Sequence, residues 1–160
     1  MRLEVLTASA EETQAAGQAI AEALRGGERI ALVGDLGAGK TAFVRGLAQG
    51  LAIDPNVVYS PTFTLIAEHP GTIPLHHIDL YRLREPVGFA DADEIGLFDA
   101  LEGHVVGAIE WFDRLEPAVV AAIGPALRVE ISMPPDGGRR LAFAALDARG
   151  EAAIARLRCR

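Results

Sequence analysis

Apolar residues recur along this chain with two periods, and each change of period marks a new element. Ser9-Ala10-Glu11-Glu12 has the capping-box pattern, and Ala16, Ala19, Ile20, Ala23 and Leu24 follow at helical spacing until Gly26-Gly27 ends the run. A first helix is expected there. Residues 30–33, Ile-Ala-Leu-Val, are wholly apolar and partly β-branched, the pattern of a strand buried on both faces of a parallel sheet. Beyond residue 40, Phe43, Val44, Leu47, Ala48 and Leu51 return to helical spacing, and Asp54-Pro55-Asn56 closes that helix.

Strand patterns dominate the middle of the chain. Residues 57–59 and 62–68 read as strands, and His69-Pro70-Gly71 separates the second from a further strand over 75–80, so a hairpin is expected. A helical stretch over 91–101 precedes an apolar strand over 105–110 that ends in an acid. Residues 127–133 and 140–146 flank Pro134-Pro135-Asp136-Gly137-Gly138 as a second hairpin, and a helix over 151–157 comes last. No repeat, low-complexity segment or linker interrupts this order, so one domain over residues 1–160 is expected.

The strand over 30–33 leads directly into Gly34-Asp35-Leu36-Gly37-Ala38-Gly39-Lys40-Thr41, with Ala42 in the helix beyond. The octet reads G-x-x-x-x-G-K-T between a strand and a helix, which is the context a phosphate-binding loop requires. Its glycines let the backbone turn tightly and bring N–H groups against phosphate oxygens at the positive end of the helix. Lys40 is the only lysine in the chain; the other 14 of the 15 basic residues are arginine. A compact ammonium can settle between β- and γ-phosphates, whereas the planar guanidinium suits bidentate partners. The Thr41 hydroxyl is the expected ligand for Mg2+. Residues Gly34 to Ala42 are therefore the candidate nucleotide-binding set, and the fold expected is α/β, a P-loop NTPase-like three-layer fold with a mainly parallel central sheet and antiparallel additions.

Such a loop needs a carboxylate at the end of a nearby strand. Asp79 ends the run His76-His77-Ile78 and Glu110 the run over 105–109; each alone also reads as a polar residue marking a strand end, but beside the loop they become candidate acids for metal and water. Ser60-Pro61-Thr62 excludes helix and sets two hydroxyls around a proline. It reads either as a switch-like segment folded over the γ-phosphate or Mg2+, or as a β-turn with polar ends. Lys40, Thr62, Asp79 and Glu110 are the candidate catalytic residues, and Thr41, Asp79 and Glu110 the candidate metal ligands. His76 and His77 fall on opposite faces of their strand with no partners at metal spacing, so packing or surface roles are expected. Trp111 follows Glu110 directly and reads first as a half-buried core aromatic, with an edge of the nucleotide site as the minority reading. Asp93-Glu94-Ile95-Gly96 matches D-x-x-G but follows no apolar strand, and with no second lysine there is no N-K-x-D guanine motif, which favours ATP over GTP.

Composition narrows the setting. Hydrophobic residues make up 50% and charged residues 23%, enough for one ordinary core. The longest apolar stretches, near 105–109 and 117–123, fall well short of the ~20 residues of a membrane span, and residues 1–7 lack the pattern of a secretory signal. A lone Cys159 excludes an internal disulfide, and a cytoplasmic location with no membrane partner is expected. The net charge of -7 argues against broad nucleic-acid binding. Arg139, Arg140, Arg149, Arg156, Arg158 and Arg160 read first as solvated arginines, with contact to an acidic partner or RNA as the minority reading.

Four motifs in order, the octet at 34–41, Ser60-Pro61-Thr62-Phe63-Thr64-Leu65, Ile78-Asp79-Leu80-Tyr81-Arg82-Leu83 and Ile109-Glu110-Trp111, resemble the bacterial TsaE (YjeE) family. That family is the P-loop ATPase component of tRNA threonylcarbamoyladenosine biosynthesis. The resemblance covers most of residues 9–111 and implies ATP and Mg2+ as cofactors, with Lys40 and Thr41 contacting them and Asp79 and Glu110 near the metal. It also implies TsaD-like and TsaB-like partner proteins, which place the threonylcarbamoyl group on tRNA, with tRNA reached through that complex. Phe112 stands where a proline is often seen and Ile78 replaces a common aromatic. Two other classes remain open on the residues: a small-molecule P-loop kinase, for which Arg82 and Arg84 are the nearby lid candidates, and a nucleotide-dependent binding switch without turnover.

Overall fold

The computed structural model describes residues 1–159; Arg160, the end of the basic tail, lies outside the described residues. The strands are β1 (Arg2–Thr7), β2 (Arg29–Val33), β3 (Ile66–His69), β4 (Leu75–Asp79), β5 (Val106–Glu110), β6 (Leu127–Ser132) and β7 (Arg139–Ala145). The helices are α1 (Ala10–Ala21), α2 (Lys40–Gly50), α3 (Phe89–Glu94), α4 (Leu97–Ala100), α5 (Pro117–Ile123) and α6 (Ala148–Arg158). Among the described residues the strands form one sheet in the order β1-β7-β6-β2-β5-β4-β3. The central four, β6, β2, β5 and β4, are parallel, while β7, β1 and β3 join antiparallel. This is the expected α/β architecture, with parallel strands covered on both faces because both are apolar.

The two helical layers follow from that covering. Residues of α1, α2 and α6, including Ile20, Phe43, Leu47 and Ile154, pack with Ile30, Leu32, Leu75 and Val106 on one face. On the other, Ala92, Leu97, Val119 and Ile123 of α3, α4 and α5 pack with Ala31, Ile78 and Ile109. Helix α1 starts as its sequence indicated: the Ser9 hydroxyl accepts from the Glu12 N–H at 3.1 Å, while the Glu12 carboxylate reaches one residue further back, to the Ala8 N–H at 2.7 Å.

Four sequence expectations are corrected. Residues 57–59 are not a strand: Pro55–Val57 is a 3-10 turn capped by the Asp54 side chain, and the Val58 carbonyl is taken by the Arg45 side chain at 3.0 Å instead of a neighbouring strand. The strand expected over 62–68 is only Ile66–His69, because Leu65 donates back to Pro61 O at 2.7 Å and takes a left-handed φ of 65°, which curls 62–64 into a turn. The helix over 91–101 is two helices divided at Gly96. Helix α2 ends at Gly50, earlier than the proline suggested. The hairpin of β3 and β4 and that of β6 and β7 are present. β1 went unread from the sequence, although Leu3, Val5 and Thr7 alternate inward; the exposed Leu6 obscured the period.

Helix α1 crosses α2 at glycines. A Cβ on Gly46 would lie 1.9 Å from Gln14 O, and one on Gly17 would lie 2.2 Å from Phe43 O. Propensity alone makes Gly→Ala inside a helix stabilising by about 1 kcal/mol, so the contact and the propensity predict opposite signs. The contact is with rigid backbone and decides the outcome. Gly46→Ala is expected to destabilise by about 1–3 kcal/mol, seen as a lower thermal midpoint by circular dichroism; a midpoint at or above the parent value would mean that the helices do not cross this closely.

Candidate active site

The carboxyl ends of β2, β5 and β4 share one edge of the sheet, the edge where open α/β sheets bind ligands. β2 delivers the chain to Gly34, and α2 begins at Lys40. Gly39, the residue before the helix, has a φ of 111° and no side-chain cap. The first N–H groups of α2 are therefore turned to the cleft with the positive end of the helix dipole behind them. Register does the rest. Leu32 pairs with Glu110, and Glu110 with Asp79, so the two acids stand side by side at the strand ends.

A cleft of about 310 Å³ opens between these parts. Leu36, Gly37, Gly39, Lys40, Thr41 and Ala42 form one wall, and Ser60, Thr62, Asp79, Tyr81, Glu110 and Trp111 the other. Gly34, Asp35 and Ala38 instead line an adjoining recess of about 280 Å³ that shares Trp111 with the cleft. The structure thus brings Lys40, Thr41, Thr62, Asp79 and Glu110 together, and divides the octet between two neighbouring hollows.

Lys40 is 5% exposed, and its ammonium donates to Gly34 O at 2.5 Å and Asp35 O at 2.9 Å. Its pKa is lowered from the ordinary lysine value, because burial disfavours the charge more than Glu110, Asp79, Asp35 and Asp113 favour it. Asp79 accepts three hydrogen bonds: Oδ2 accepts from the Ser60 hydroxyl at 2.7 Å and the Thr62 hydroxyl at 3.1 Å, and Oδ1 accepts from the Tyr81 N–H at 2.9 Å. The Ser60-Pro61-Thr62 segment is therefore fastened to the acid. Glu110 is buried, with Oε2 2.5 Å from His77 Nε2. Thr41, Asp79 and Glu110 offer oxygen donors, which suit a hard cation such as Mg2+ that keeps waters and binds through few protein groups. Among the described residues no group of three His, Cys, Asp or Glu could hold a metal by itself.

Trp111 is half-buried and faces the cleft, so both readings of it apply. The Lys40 ammonium lies 4.2 Å from its ring centroid. Its φ of 60° turns the chain at the end of β5. Arg114 lies over the same ring at 4.8 Å, over Tyr81 at 5.1 Å, and donates to the Tyr81 and Leu83 carbonyls. Adjacency to a strand-ending acid was the available signal for Trp111; nothing in the sequence singled out Arg114. His76 and His77 do point to opposite faces. His76 Nδ1 meets Ala100 O at 2.5 Å, while His77 lies beneath Glu110. Arg156 and Arg158 are solvent-exposed on α6, whereas Arg139 is half-buried and donates to Gly37 O in the loop at 3.3 Å.

The fold is that of the P-loop NTPase-like α/β proteins. The family model described as "Threonylcarbamoyl adenosine biosynthesis protein TsaE" matches residues 7–141, and the chain belongs to the TsaE family. A Bacillus subtilis protein named tRNA threonylcarbamoyladenosine biosynthesis protein TsaE is 35% identical over 151 residues, covering 94% of this chain and 90% of its own. A Treponema pallidum protein of the same name is 38% identical over 144 residues, covering 89% of this chain and all of its own. The crystal structure of Bacillus subtilis YdiB superposes with a TM-score of 0.76 at 31% identity, covering 99% of this chain and 95% of that one. Its family ties the chain to tRNA threonylcarbamoyladenosine biosynthesis. No helix among the described residues is long and apolar enough to cross a membrane.

The lowered pKa of Lys40 has a measurable consequence. In the unfolded chain the amine keeps its proton up to about the ordinary value of 10.5. The folded protein releases it at lower pH, so between the two the unfolded state holds more protons and stability rises with pH. Lys40→Met is expected to remove that rise. Urea unfolding at about pH 8 and about pH 10 checks it: the difference in stability between variant and parent should shift toward the parent at the higher pH. A difference independent of pH would mean that burial does not perturb this amine.

Proposed function

We propose that this chain is a Mg-dependent ATPase that works in the cytoplasm with TsaD-like and TsaB-like partners during tRNA threonylcarbamoyladenosine formation, reaching tRNA through that complex. The observation that carries the reading is the meeting of Lys40, at the open start of α2, with two register-paired acids in one cleft. Phosphates would lie on the N–H groups of residues 39–42, with the Lys40 ammonium leaving the Gly34 and Asp35 carbonyls for phosphate oxygens. Thr41, Asp79 and Glu110 would hold Mg2+, which when bound offsets phosphate charge. Glu110 and the Ser60 to Thr62 segment would orient the attacking water. Its oxygen bonds to the γ-phosphorus as the bond to the bridging oxygen breaks, giving ADP and inorganic phosphate. Catalysis of this kind is positioning and charge stabilisation, and these side chains supply both.

The family membership favours hydrolysis coupled to partners over transfer to a small metabolite. One domain over the whole chain is part of the same reading. Lys40→Ala is expected to lower ATP turnover by at least about 100-fold while leaving the circular dichroism spectrum intact. Trp111 is the sole tryptophan and stands over the Lys40 ammonium, so its emission should change when MgATP binds the parent protein. Rates with and without TsaB-like and TsaD-like proteins test the coupling. Parent-like turnover in Lys40→Ala sinks the mechanism, and phosphorylated product from a metabolite panel would point to a kinase instead.

A further inference from the structure

We propose that His77 is a positioning residue for Glu110: its imidazole, protonated on Nε2, fixes one carboxylate oxygen so that the other is presented to the cleft. The inference rests on the ATPase reading above and adds a residue to it. His77 lies in the row beneath the acids. In the parallel pair β4 and β5, Asp79 stands opposite Glu110 and His77 opposite Ala108, so all four side chains leave the same face of the sheet. His77 is 0% exposed and Glu110 3%. Nε2 meets Oε2 at 2.5 Å, and Nδ1 is buried without a hydrogen-bond partner.

That asymmetry selects the tautomer. With the proton on Nε2, the ring donates to the carboxylate and leaves only a lone pair unpaired at Nδ1. With the proton on Nδ1, a buried N–H would be orphaned and a ring lone pair would face a carboxylate oxygen across 2.5 Å. Orphaned buried donors are rarer and costlier than unpaired acceptors, so the first form prevails. The arrangement is the one by which a second side chain orients a metal-binding or reacting carboxylate: one oxygen is held, and the plane of the group is set. Among the described residues no hydrogen bond reaches Glu110 Oε1, and Glu110 lines the cleft. An anchor of this kind acts on the orientation of the reacting water more than on the bound nucleotide, so it should move kcat more than affinity.

The test compares His77→Leu with His77→Gln, whose amide N–H can reach the place of Nε2, using ATP loss at saturating MgATP and the Kd read from Trp111 emission. His77→Leu is expected to lower kcat by about tenfold or more with Kd within about threefold of the parent, and His77→Gln to recover most of the rate. In a Glu110→Gln background, His77→Leu should cost no further rate, an outcome that a merely structural role would not give. Unchanged kcat in His77→Leu, an equal loss in both variants, or a Kd that weakens in step with kcat would overturn the proposal. Nitrogen-15 spectra of the parent imidazole stand independently of whether the variants fold: Nε2 protonation is expected, and Nδ1 protonation overturns the proposal. A parent protein without ATP turnover sinks the ATPase reading and this inference with it, whereas parent turnover with an unaffected His77→Leu sinks this inference alone.

Discussion

The cleft depends on one constraint, the register in which β2, β5 and β4 lie side by side. Leu32, Glu110 and Asp79 occupy one row at the carboxyl edge, and the loop after β2 leaves from the same edge. Side chains alternate across a strand, so a slip of one residue in β4 or β5 would turn its acid to the opposite face. What forbids the slip is apolar. Ile78 and Ile109, the neighbours of Asp79 and Glu110, are fully buried in the layer of α3, α4 and α5. Placing either among the polar groups of the cleft would forfeit about 1.5–3 kcal/mol of burial and strand an acid in the core. The hydrophobic layer on one side of the sheet thus fixes the position of the chemistry on the other.

Much of this was legible from spacing. The run 30–33 and the G-x-x-x-x-G-K-T octet specify strand, loop and helix locally, and the structure has them in that order. Glu110 was legible as a strand-ending acid because it closes an apolar run, and Asp79 because it follows His76-His77-Ile78 near the end of a strand pattern. Their adjacency was not, since it arises from pairing between segments about 30 residues apart, and local pattern carries no information about which strands become neighbours. His77 illustrates the limit. As a residue on a strand face it looked like packing; its bond to Glu110 exists only because β4 lies beside β5 with this register. The errors over 57–68 have another origin, for the β-branched and aromatic residues there suit a strand, but Pro55 starts a 3-10 turn and Leu65 curls back on Pro61. Tertiary context overrode propensity.

The lone lysine now has a physical setting. Its ammonium is nearly buried, bonded to two loop carbonyls and faced by an indole and two acids. A guanidinium could bond the same carbonyls, but its planar fork is larger and its charge more spread, whereas an ammonium can exchange one set of oxygens for another with a small rotation of its stem. Burial lowers the pKa of the amine, which means that the charge is poorly compensated in this conformation. An anion brought to the start of α2 would relieve that deficit.

The segment over 59–65 shows how a site wall can be attached through the acid that it borders. Val58 anchors one end in the core, and at the other Leu65 bonds Pro61 O and accepts from the Asp79 N–H. Between them Phe63 is 84% exposed, and the hydroxyls of Ser60 and Thr62 tie the segment to Asp79 Oδ2. Hydrogen bonds to a charged acceptor are each worth about 1.5–3 kcal/mol, so two of them hold the segment against a modest competitor and no more. Any ligand that claims Asp79 Oδ2 must displace these hydroxyls or share the oxygen with them. The placement of the segment and the occupancy of the acid are therefore one equilibrium, because both draw on the same lone pairs.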